Sequence, residues 1–237
     1  MAQIFSGQVP EWLGIGRSVS EQSAATSHPL VPLGPAFAIW GVIYLWALVA
    51  AAWAILNPRN AIVRLVGPHM AVIWALNTAW SIWVPINGIE WVSLGIICIS
   101  LLSGLTGLYR LRSLELSRAE AGFFIVPLAL VTGWITAASV VNLTSALVAS
   151  GLQPDPRQVM VSLAFLIGLI VFAGMMLRMT LSRIYAIPLV WALGWIAAAN
   201  MQRQDEPLMV YTALAGIGLL LILLFTLKGQ SKGRLPG

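Results

Sequence analysis

Charge is what this sequence has least of. Of its 237 residues only 9% are Asp, Glu, Lys or Arg, against about a quarter in an ordinary soluble domain. The mean hydropathy is +0.89 and 59% of the residues are hydrophobic, so the composition is that of a polytopic membrane protein. Cysteine occurs once, as Cys98 in an apolar segment, which excludes a disulfide framework and a cysteine cluster for a metal. Histidine occurs twice, His28 ahead of the first apolar segment and His69 at the start of the second. Bis-histidine haem ligation at depth is thereby excluded, and only His69 is left as a single axial ligand. No acidic or basic residue falls in the interior of the apolar segments, which removes the intramembrane ionisable groups that proton pumps and ion-coupled carriers use. A retinal protein needs a Schiff-base lysine in its last span, and here Lys228 lies beyond it. The net charge of +5 is scattered over short loops and forms no patch for nucleic acid.

What is present is a series of apolar windows, at about 35–56, 65–86, 91–109, 122–149, 158–178, 184–201 and 207–227. Each is long enough for a helix to cross a hydrocarbon core of ~30 Å. The expected fold class is therefore all-α, a polytopic transmembrane bundle of seven spans. Basic residues test the count. Arg59, Arg64, Arg110, Arg112, Arg118, Arg178, Arg183, Lys228, Lys232 and Arg234 fall on one side, and only Arg17, Arg157 and Arg203 on the other. Ten against three, alternating loop by loop, puts the N-terminus outside and the C-terminus in the cytoplasm. Residues 1–30 have no basic start followed by an apolar core, so they do not read as a signal peptide. They read as an interfacial segment in which Ile4, Phe5 and Trp12 touch the bilayer.

The chain is organised around Gly122–Ser150, which carries no charge. Trp134, Ala138 and Asn142 recur every four residues and share a helix face, an indole, a gap and an amide. An amide in hydrocarbon needs a partner, so this face looks into protein. Asn142 serves either a neighbouring helix or a ligand. In the first span Trp40 and Tyr44 share a face, and in the second Asn77 and Trp80 do. Counted from the helix midpoints, Trp40, Asn77, Trp80, Trp134 and Asn142 fall in one layer roughly 10 Å thick in the outer half of the bilayer. They can line a pocket for a flat, largely apolar ligand, or they can be a tryptophan-rich packing core. Leu105, Tyr109 and Arg112 fit a loose pattern proposed for cholesterol contact. Residues 127–138, PLALVTGWITAA, are echoed at 188–199, PLVWALGWIAAA. Both run the same way across the membrane, as a parallel repeat would.

These residues resemble the translocator-protein or TspO family, whose bacterial members are called tryptophan-rich sensory proteins. Pro35, Phe37, Trp40 and Tyr44 resemble its first-span pattern, Asn77, Trp80 and Ser81 its second-span pattern, and Trp134, Ala138 and Asn142 its fourth-span pattern. The likeness covers about residues 35–178. It implies a five-helix core at 31–180, followed at 181–237 by two further transmembrane helices and a short basic tail. In shorter members the fourth-span proline stands four residues before the tryptophan and is followed by tyrosine; here Pro127 stands seven before Trp134 and is followed by Leu128. The resemblance implies a bundle, often dimeric, that binds porphyrin, haem or sterol in tetrapyrrole handling, transport or stress sensing, with no required cofactor. It places the ligand against Trp40, Tyr44, Asn77, Trp80, Trp134, Ala138 and Asn142. Two other readings stand beside it: an enzyme that degrades porphyrin in light, and a carrier built on the 127/188 repeat.

Overall fold

The computed structural model describes residue 14, residues 16–203 and residues 206–227. Ile4, Phe5, Trp12, Lys228, Lys232 and Arg234 lie outside the described residues. After a short helix α1 (Val19–Ala25), seven helices among the described residues are long and apolar enough to span a membrane: α2 (Gly34–Leu56), α3 (Ala61–Asn87), α4 (Trp91–Leu111), α5 (Arg118–Ala149), α6 (Pro156–Thr180), α7 (Arg183–Arg203) and α8 (Pro207–Thr226). No strand occurs among the described residues.

The loops are short and the helix starts are chemically marked. Asn60 caps α3 by accepting from Ile62 N and Val63 N, and Asp155 caps α6 with Pro156 behind it. Glu90 with Ser93 and Ser117 with Glu120 form reciprocal capping boxes on α4 and α5. Each cap satisfies backbone N–H groups that the first helical turn leaves without partners.

α5 is the axis of the bundle. Two thirds of its most apolar window is buried, against 17% for α2. It packs against α2, α4, α6 and α7. Close packing on two sides depends on glycine. A Cβ on Gly104 of α4 would collide with Thr132, and one on Gly133 would collide with the backbone carbonyl of Tyr185 at the start of α7. Small residues at such crossings bring backbones together where no hydrophobic drive distinguishes protein from lipid.

The start of α5 carries a wide π turn at Ala121–Ile125. Pro127 has no N–H to return to the turn before it. Val126 N bonds Ala121 O, and the carbonyl of Gly122 accepts instead from Trp46 Nε1 of α2 at 2.7 Å. Trp53 adds a stacked contact to Phe123, ring centroids 5.5 Å apart. α2, the span with the least buried surface, is thus pinned to α5 at this end.

At the other end the chain between α1 and α2 folds over the bundle. His28 and Leu30, within the stretch expected at the interface, are buried. His28 Nδ1 accepts from Leu30 N at 3.2 Å, so the ring proton sits on Nε2, which donates to Ser145 of α5 at 3.0 Å. α1 is held separately: Arg17 N and Gln22 Nε2 both donate to Pro85 O near the end of α3.

Candidate functional site

Residues from α1 to α5 and α7 surround one covered cavity. Its volume is small, about 50 Å³. Of the seven residues expected at the site, six line it: Trp40, Asn77, Trp80, Trp134, Ala138 and Asn142. Tyr44 does not reach it. One turn further along α2, it stacks on Trp40 at 5.1 Å and leans on Trp74 at 6.0 Å, so it backs the wall without forming it.

The order within the cavity follows from aromatic geometry and from the cost of unpaired polar groups. Trp134 is 4% exposed. Its ring stands edge-on to Phe37 at 6.0 Å and to Trp40 at 6.2 Å, the arrangement that ring quadrupoles favour. Asn142 Nδ2 donates to Ala138 O one turn back, at 2.9 Å, and Asn142 Oδ1 accepts from Trp80 Nε1 of α3 at 3.2 Å. Ser93 Oγ of α4 lies 3.5 Å from the same oxygen. The amide therefore joins three helices. Asn77 is buried as well; Ser81 Oγ donates to its backbone carbonyl oxygen at 2.8 Å and lies 3.4 Å from its side-chain Oδ1.

Among the described residues no charged residue, histidine, cysteine, methionine or tyrosine lines the cavity. His69 faces elsewhere, its Nδ1 3.3 Å from Ser103 Oγ of α4. Among the described residues no group of three His, Cys, Asp or Glu is placed to hold a metal. Tyr109 and Arg112 meet each other, the guanidinium 3.7 Å from the ring centroid, away from the cavity.

The aromatic and amide motifs did not reveal two further walls. α4 supplies Ile96, Ile97 and Ser100, and α7 supplies Ala192 and Ile196. The α7 pair carried one signal in the sequence: Ile196 occupies the place in PLVWALGWIAAA that Ile135, another lining residue, occupies in PLALVTGWITAA. Val19 and Ser23 of α1 and Pro32 of the covering chain line it as well.

A family model described as TSPO-like protein matches residues 11–226, which takes in all seven spans and extends past the residues that carry the motifs. No curated protein and no solved structure gives a significant match.

Proposed function

Because the chain belongs to the TSPO-like family, we propose that it binds a hydrophobic, largely flat ligand of the tetrapyrrole class in the covered cavity, from within a bacterial cytoplasmic membrane. One observation carries this reading: Trp40, Asn77, Trp80, Trp134 and Asn142, from three helices, converge on a single space. Indole faces offer area and stacking to a planar ring, and two amides supply orientation at small cost in polarity. Since the open space holds only a few waters, the ligand is admitted by movement of the cover and not by a standing channel. A metal-free porphyrin fits the lining better than haem, because the cavity offers no histidine, cysteine, methionine or tyrosine as axial ligand. Its carboxylates belong at the mouth, since no cation stands inside. The lining also holds no carboxylate, histidine or lysine for acid–base work, so the proposed activity is binding, in sensing or handling, and not turnover.

The test is a titration of purified protein with protoporphyrin IX, haem and cholesterol, read by tryptophan quenching. Saturable quenching by the free porphyrin is expected, weaker for haem. Quenching that rises linearly and equally in wild type and Trp134→Ala would overturn the reading. The orientation proposed from the basic loops, with the cover outside, is read by reporter fusions: Pro154 outside and Arg118 cytoplasmic.

A further inference from the structure

The covering chain is held in an unusual way. Its own backbone makes little regular structure between α1 and α2; Val31 N donates to His28 O and Ala36 N to Leu33 O, and several of its carbonyl oxygens accept from side chains of the bundle. Asn200 Nδ2 donates to Pro29 O at 2.8 Å. Arg203 donates to His28 O at 3.5 Å and Val31 O at 3.2 Å, and Trp191 Nε1 donates to Ala36 O at 2.8 Å in the first turn of α2. All three donors stand on α7. One donor comes from elsewhere, Gln158 of α6 to Ser27 O at 3.4 Å. Buried backbone acceptors need such partners, so α7, together with the His28 bond to Ser145 of α5, holds residues 28–36 in place. That stretch brings Pro32 to the cavity and aims α2 so that Phe37 and Trp40 reach it.

The same helix forms part of the wall directly. Ala192 and Ile196, one turn apart, are 3% and 1% exposed and line the cavity. Ser23 of α1, also lining it, has a buried hydroxyl with no partner. An unpaired buried hydroxyl is costly, and a ligand with one polar group on its outer side would relieve it.

We propose that α7, which lies outside the five-span motif region, is a specificity-determining element of the cavity: Ala192 and Ile196 set the width of ligand it accepts, and Trp191, Asn200 and Arg203 hold the cover that closes over it. The proposal rests on the reading of the cavity as a ligand site and adds which residues choose the ligand.

It predicts a change in the ratio of two affinities, which a merely structural role would not move. The probes are protoporphyrin IX and the narrower 1-aminoanthracene, titrated into wild type, Ala192→Leu, Ile196→Ala, Ile196→Val and the lipid-facing control Ile187→Ala. Ala192→Leu should weaken the porphyrin relative to the anthracene, and Ile196→Ala should shift the ratio the other way, each by at least about fivefold, since a methylene or two in an apolar pocket discriminates ~10-fold or more. Ile196→Val, the mildest change, keeps the test open should either larger substitution fail to fold, and it should shift the ratio in the direction of Ile196→Ala. Ile187 is 55% exposed, and its variant should match wild type. If wild type binds both probes, Trp134→Ala weakens both and the α7 variants leave the ratio unchanged, this proposal is wrong and the cavity reading stands. If wild type binds neither probe, both are wrong.

Discussion

Residues 127–138 of α5 and 188–199 of α7 match in proline, leucine, glycine, tryptophan, isoleucine and two alanines, yet the bundle uses them differently. Gly133 is pressed against the carbonyl of Tyr185, while a Cβ on Gly194 would meet nothing within 4 Å. Trp134 is buried in the cavity wall. Trp195, half-buried, stands edge-on to Trp191 at 5.5 Å and does not line the cavity. Sixty-one residues after Asn142, which joins α3, α4 and α5, stands Arg203, which grips the cover. Two like segments thus hold two different things, the helices in one case and the lid in the other. What a residue does here is set by which neighbour its helix face meets, and sequence likeness does not carry that.

The comparison breaks most sharply at the two glycines. Gly133→Ala drives a methyl into backbone that cannot swing aside, and should cost about 3 kcal/mol of stability, read as a lowered unfolding temperature in detergent. Gly194→Ala should be neutral or stabilise by up to about 1 kcal/mol through helix propensity. Equal effects would mean that the α5–α7 contact is not close.

The next effect concerns the cover, where the two segments meet. Burial and then the Arg203 charge hold the His28 pKa down to about 3 from its ordinary 6.5. The folded state disfavours the charged ring, so its contribution is complete above about 6.5 and is lost as pH falls toward 3, at roughly 1.4 kcal/mol per unit. Wild type should therefore lose about 2 kcal/mol more than His28→Gln between pH 7 and pH 5. Parallel pH profiles of the two proteins would show that His28 does not latch the cover.

Binding should separate the two tryptophans. Trp134→Ala is expected to weaken porphyrin binding roughly tenfold, about 1.4 kcal/mol, and Trp134→Phe to keep part of it. Trp195→Ala and Trp53→Ala should change it little. A dissociation constant for Trp134→Ala within about twofold of wild type, in folded protein, would make Trp134 a packing residue.

The smallest effect is that of the amides. Asn77→Leu or Asn142→Leu should each destabilise by about 0.6 to 1.7 kcal/mol, the range for membrane hydrogen bonds, with Asn142 the larger because Trp80 Nε1 loses its partner. An unfolding temperature unchanged or raised in both variants would show that neither amide ties the bundle together.

The seven spans were legible because hydrocarbon imposes length and apolarity on every crossing, and because basic loops alternate. The convergence of Trp40, Trp80, Trp134 and the two asparagines followed from depth and helical spacing. Tyr44 entered through the face it shares with Trp40 and through the family resemblance, and it stands behind the wall because the cavity ends one turn away. The α7 wall and the cover were hidden for a different reason. Ala192 and Ile196 have no chemistry that distinguishes them from lipid-facing residues, and the grip on the cover runs from side chains to backbone oxygens, which leave no trace in residue type.

That grip has an evolutionary corollary. Pro29, Val31 and Ala36 accept through an oxygen that every amino acid possesses, so selection has little purchase on their side chains as acceptors. Trp191, Asn200 and Arg203 donate through groups that few residues can replace. A saturation mutagenesis scan scored by folded yield should find tolerance at position 29 and intolerance at 200 and 203, an asymmetry between two stretches of chain that touch each other.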